Sequence, residues 1–135
     1  MTVPGLTLHR SSFEPKRTAE RLAAAIQSRG LTLFARVDHA AGATAVGMAL
    51  RPTELLMFGN ARGGTPLMQA AQTIGVDLPL RALVWQDEAG ITWLGINDPG
   101  WLAERHGIGA DADAPVAAMR ALLQALAREA TAGPA

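Results

Sequence analysis

Residues 57–68, MFGNARGGTPLM, run from an apolar strand through three glycines into a helix start. The stretch has no acidic residue, and its one hydroxyl is that of Thr65. Gly63 and Gly64 place no side chain in the path of a ligand and permit positive φ. Thr65 followed by Pro66 has the form of an N-cap hydroxyl with proline at the first helical position. The backbone N–H groups of residues 63–65 are therefore expected to face a small anion or carbonyl group, with Arg62 nearby as a charge. The spacing fits neither the P-loop nor the dinucleotide-binding glycine pattern, so no nucleotide is implied. The same glycines would equally serve a tight strand-to-helix turn.

Histidine supplies the other candidate chemistry. His9, His39 and His106 are the three imidazoles. His106 precedes Gly107, where a helix-end histidine suits the helix dipole. His39 follows Asp38 at a strand end and is the candidate general base. No pair of histidines has ligand spacing and cysteine is absent, so neither a metal nor any other cofactor is expected. Asn60 and Asn97 each close an apolar strand. Were those strands neighbours running the same way, both amides would meet at one sheet end. The expected ligand-binding set is His39, Asn60, Gly63, Gly64, Thr65 and Asn97. Asp98 before Pro99 reads as an N-cap rather than an acid catalyst.

The elements that must position these residues follow from periodicity. LTLHR at 6–10 alternates as a short strand, and Ser12 offers a cap for a helix. Ala19, Leu22, Ala23 and Ile26 form that helix's apolar stripe, and Gly30 ends it. LTLFARVDH should then place Leu31, Leu33, Ala35 and Val37 on one strand face. AAGATAVGMAL is ambiguous between a short helix and a strand opening. ELLMFGN is apolar throughout, as in a sheet covered on both faces. The helix from Thr65 should end near Gly75. LRALVWQ and ITWLGIN flank a three-residue loop with Gly90 in the left-handed position, which opposes Trp85 to Trp93 and Val84 to Leu94. A short helix begins at Pro99, and Val116, Met119, Leu123 and Leu126 stripe a last one. Residues 131–135 are expected to fray.

A chain of 135 residues, 49% apolar and 18% charged, suits one domain over 1–135 with a core at about 6–128. No membrane partner is expected, since no segment has the length and apolarity to span a bilayer. The start lacks a signal pattern, so a cytoplasmic location is expected. Twelve basic residues balance twelve acidic ones, which argues against nucleic acid as a partner. Trp85 and Trp93, with Leu83 and Ile91, leave the hairpin apolar on both sides. The second side is expected to meet more core first, then a partner subunit, with a ligand pocket as the other alternative, and the domain is expected to be a homodimer.

FGNARGGTPLM, DLPLRALVWQDEAG, NDPGWLAERHG and VDHAAGA together resemble the domain of unknown function 302 family of bacteria and archaea. The resemblance runs roughly from Ser12 to His106. Ala61 departs from it, standing where the family usually has proline. The resemblance implies an α+β fold, helices packed on a mostly antiparallel sheet of about five strands, and no known reaction. The leading expectation is a small-ligand-binding domain with its site around residues 59–65. One alternative is an enzyme with His39 as base and loop amides stabilising negative charge. Another is a purely structural interaction domain.

Overall fold

The structure, a computed structural model, describes residues 2–133. Five strands form one sheet: β1 (Leu6–Arg10), β2 (Thr32–Asp38), β3 (Thr53–Gly59), β4 (Leu80–Gln86) and β5 (Thr92–Asn97), in the order β1-β5-β4-β3-β2. Every neighbouring pair is antiparallel. Among the described residues five α-helices accompany the sheet: α1 (Pro15–Ser28), α2 (His39–Ala45), α3 (Ala61–Ala70), α4 (Pro99–Arg105) and α5 (Asp113–Thr131). Short 3₁₀ segments lie at Gln72–Asp77 and Ala110–Ala112. The fold is α+β, as the resemblance implied.

One face of the sheet carries the core. Leu56, Phe58, Leu80, Ala82, Val84, Leu94 and Ile96 are buried there together with the stripes of α1 and α5. Those stripes meet through Ala19, Leu22, Ala23 and Ile26 on one side and Leu123, Leu126, Ala127 and Ala130 on the other. The alanines let the two helix backbones lie close while the leucines reach the sheet. Pro15 starts α1 after Glu14, and Ser12 is not its cap. Ser12 N–H instead donates to the Thr131 carbonyl at 2.8 Å, and Thr131 is itself buried. Thr131 thus ends α5 in packed structure, against the expectation of a frayed tail from 131; residues 134–135 of that tail lie outside the described residues.

The hairpin has the expected register. Trp85 pairs with Trp93 and Val84 with Leu94, and Gly90 has φ +82°. Val84 and Leu94 face the helices. The second strand departs from its pattern. Pairing steps from Leu33↔Phe58 to Ala35↔Met57, so Phe34 is an extra residue on β2. Such a bulge exchanges the faces of everything after it. Ala35 and Val37 therefore lie on the opposite face from Leu33. The residues of β3 are also not covered twice. Leu56 and Phe58 are buried, while Leu55 and Met57 sit half-buried on the side away from α1 and α5. Phe58, fully buried, anchors the core, and Phe58→Ala should cost about 3–5 kcal/mol in urea unfolding. A midpoint equal to that of the parent would show that this face is not the core.

Candidate functional site

A recess of about 700 Å³ opens where β3 turns into α3. Its walls are the first turns of α3, the stretch Gly75–Leu80, and Pro115, Ala118, Met119 and Leu122 of α5, with Leu31 and Phe34 closing one side. Most of the lining is apolar. Polar groups are confined to the rim, at Asn60 and Arg62.

The local chain explains the shape. Asn60, not Thr65, caps the helix: its side-chain oxygen accepts from Gly63 N–H at 2.7 Å, and its carbonyl accepts from Gly64 N–H at 3.1 Å. The helix consequently begins at Ala61, five residues ahead of the start that the Thr-Pro pair suggests, and Pro66 lies inside it. Gly63 and Gly64 are helical and not among the glycines of positive φ. A Cβ on Gly63 would come within 3.1 Å of the Asn60 oxygen, so the missing side chain leaves room for the cap. The helix ends at Ala70, and the 3₁₀ segment takes the chain past Gly75. Amides 63 and 64 are thus committed within the protein. The N–H groups that a helix leaves free at its first positions belong here to Ala61 and Arg62.

The remaining expected site residues do not converge on this recess. Thr65 is exposed within α3. His39 starts α2, exposed, behind the cap made by Asp38 to Ala41 N–H. Thr32 pairs with Gly59 and Asp38 with Glu54, so His39 leaves the sheet at the end opposite Asn60. Six strand residues separate those ends, roughly 20 Å. Asn97 does lie at the same sheet end as Asn60, because β3 and β5 both run antiparallel to β4. However, β4 stands between them, and the Asn97 side-chain oxygen accepts from Arg81 N–H at 2.8 Å. Asn97 stitches β5 to β4 and is not part of the recess lining. Asp98 caps α4 through Gly100 N–H at 3.0 Å and pairs with Arg120.

A second polar cluster escapes sequence reading altogether. His106 Nε2 lies 2.5 Å from Asp77 Oδ2, Thr73 Oγ1 lies 2.9 Å from His106 Nδ1, and Arg105 donates to the same Asp77 oxygen at 2.6 Å. The carboxylate thus engages one ring nitrogen of His106 and the threonine hydroxyl the other. This hydroxyl–imidazole–carboxylate order is one that nucleophilic enzymes use. Thr73 and His106 nevertheless lie outside the recess lining. What the cluster does visibly is fasten the 3₁₀ segment, whose Gly75 walls the recess, to the end of α4. The His106 hydrogen bond, followed by the pairing with Arg105, holds the Asp77 carboxyl below its usual range. His9, by contrast, is lowered by burial beside β5.

The family model for the Domain of unknown function DUF302 matches residues 8–126. The chain belongs to this family. The crystal structure of an uncharacterized conserved DUF302 protein from Bacillus stearothermophilus aligns with a TM-score of 0.83 at 18% identity, covering 95% of this chain and 99% of that one. That likeness concerns the fold. In sequence, proteins named fluoride-specific ion channel FluC 1 in Brucella suis and Brucella abortus are each 50% identical over 115 residues. The match covers 85% of this DUF302 chain but 45% and 43% of theirs, so the chain spans less than half the length of these relatives. Among the described residues no helix is long and apolar enough to cross a membrane.

Two substitutions test the local account. Asn60→Ala should lower stability by about 1 kcal/mol, the usual loss at a cap, while Thr65→Ala stays within about 0.5 kcal/mol. The reverse order in chemical denaturation would restore Thr65 as the cap. Asp77→Asn should cost about 1–2 kcal/mol. A carboxyl depressed on folding contributes its stability above the unfolded value of about 3.9 and loses it as pH falls through the folded one. The gap between parent and variant should therefore be full at pH 5 and narrow below about pH 4. A gap independent of pH would refute the ion pair.

Proposed function

We propose that this DUF302 domain binds a small, mainly apolar molecule in the recess beside Asn60, with one anionic or carbonyl end at the first turn of α3. The observation that carries the reading is the recess itself. Its volume of about 700 Å³ lies within the range of roughly 300–1,000 Å³ of ligand pockets. It also has their usual make-up, apolar walls with a few polar groups at one edge. Leu31, Phe34, Met68, Leu78 and Leu122 would take up the body of the ligand. Arg62, with the free amides of Ala61 and Arg62, would face its polar end. The site differs from the one expected from sequence in two ways. It is apolar in the main, and its donors come before the glycines instead of at them.

A base for catalysis is not part of this reading, since His39 is at the far end of the sheet. The fluoride in the name of the channel relatives is small and strongly hydrated, and apolar walls give back little for its lost water. A hydrocarbon or aromatic acid suits these walls better.

The test is a titration with decanoate, decanol and sodium fluoride, followed by amide shifts. Decanoate and decanol should both shift Gly64, Met68 and Leu122, and fluoride should not. Ala118→Trp, filling the recess from an exposed helix position, should abolish both sets of shifts while circular dichroism stays unchanged. Arg62→Ala should weaken decanoate several-fold and leave decanol unaltered. Absence of shifts with either long-chain probe, or their persistence in Ala118→Trp, would overturn the reading.

A further inference from the structure

The face of the sheet opposite α1 and α5 is apolar and has no cover from those helices. Following the register across the strands, its middle row is Val37, Leu55, Leu83, Gly95 and Leu8. The row on one side is Thr53, Trp85, Trp93 and Arg10, and the row on the other includes Ala35, Met57, Arg81 and Leu6. None of the three rows contains an acidic residue. None of these side chains joins the core cluster or the partly buried set packed against it. The surface is also ordered by its own contacts. Trp93 donates its indole N–H to Asp87 at 2.9 Å, and Trp85 and Leu6 close over Gly95, where an added Cβ would meet both at 3.0 Å.

We propose that a second copy of this chain docks here, sheet against sheet. Five strands about 4.8 Å apart and roughly six residues long give a face of about 24 Å by 20 Å. Two such faces present about 960 Å² in projection, close to the ~1,000 Å² that a specific interface should clear. In the connection from β2 to β3, Val46, Met48 and Leu50 are further exposed apolar side chains, at 71%, 67% and 50%. Within the rows Val37 is 39% exposed and Leu55, Leu83, Trp85 and Trp93 are half-buried, an apolar face of the kind that marks an interaction site. The distribution suits a symmetric partner. The centre is uncharged and therefore self-complementary, and the two arginines, Arg10 and Arg81, stand in the outer rows as in the polar rim of an interface. A charged partner would find no countercharge in the middle row. Two sheets of this kind stack about 10 Å apart with their strands nearly aligned.

Sedimentation and cross-linking test the proposal on the full chain. The parent should sediment at twice its 14.1 kDa mass, and Leu83→Lys should sediment as a folded monomer. Because the chain has no cysteine, a single introduced thiol is unambiguous. Leu83→Cys is mild enough to fold, and a short bismaleimide should join its two copies in high yield. Ala117→Cys, on the exposed side of α5, should remain uncoupled. A parent that stays monomeric at 100 µM would overturn the proposal, whatever else covers the face. So would a dimer that survives Leu83→Lys or that couples through Ala117→Cys instead. None of these outcomes bears on the recess, which the long-chain acid and alcohol titrations test separately.

Discussion

Strands that are apolar on both faces need cover on both, and the helices of this chain supply it on one. That constraint organises the molecule. ELLMF, LRALVW and ITWLGI each alternate between two apolar sets rather than between apolar and polar. α1 and α5 take the set containing Leu56, Phe58, Val84, Leu94 and Ile96. The other set has to make its own surface. It does so with flat residues: a tryptophan laid over Gly95, its cross-strand partner fastened to the hairpin by Asp87, and leucines in a straight row. The helix-covered face holds the buried core, and the other presents rows of half-buried apolar side chains.

The parts that were legible in the sequence are those decided by near neighbours. Gly90 fixed the hairpin, because a left-handed residue in a three-residue loop determines which side chains oppose each other. The stripes of α1 and α5 were legible for the same reason, as was the Asp98-Pro99 helix start. The cap of α3 was not. Asn60 and Thr65 are each good caps, and Gly63 and Gly64 disfavour a helix that includes them. Local propensity therefore points to the later start. The protein adopts the earlier one, in which Asn60 reaches Gly63 and α3 gains a turn whose glycines lie against Met119 and Leu78. Tertiary packing outweighs the cost of two helical glycines.

Convergence of distant residues was the least legible feature. Asn60 and Asn97 end two strands of the same direction, and nothing nearby says that β4 separates them. His106 reads as an ordinary helix end, yet its two nitrogens engage Asp77 and Thr73, 29 and 33 residues away. The recess depends on such long-range ties. Its walls belong to α3, held by the Asn60 cap, to the 3₁₀ segment, held by His106, and to α5. Gly64 and Gly75 have no side chains to fill the space, and Pro66, Pro79 and Pro115 stiffen the walls around it. An apolar hollow bounded by separately fastened pieces cannot collapse without breaking one of the fastenings.

The bulge at Phe34 connects the two surfaces. In a regular strand Arg36 would fall on the open face, a guanidinium in the middle of an apolar surface, and Val37 would turn toward the helices. One inserted residue reverses this. Arg36 is brought to the helix side, where Glu54 accepts from it at 2.7 Å and Glu20 of α1 at 2.9 Å, and both carboxylates raise its affinity for the proton. Val37 joins the open row beside Leu55. Phe34, the residue left without a place in the ladder, reaches the wall of the recess. The bulge also bends an edge strand, which discourages the edge-to-edge pairing that a flat β2 would invite. The apolar rows lie on the face, away from that edge.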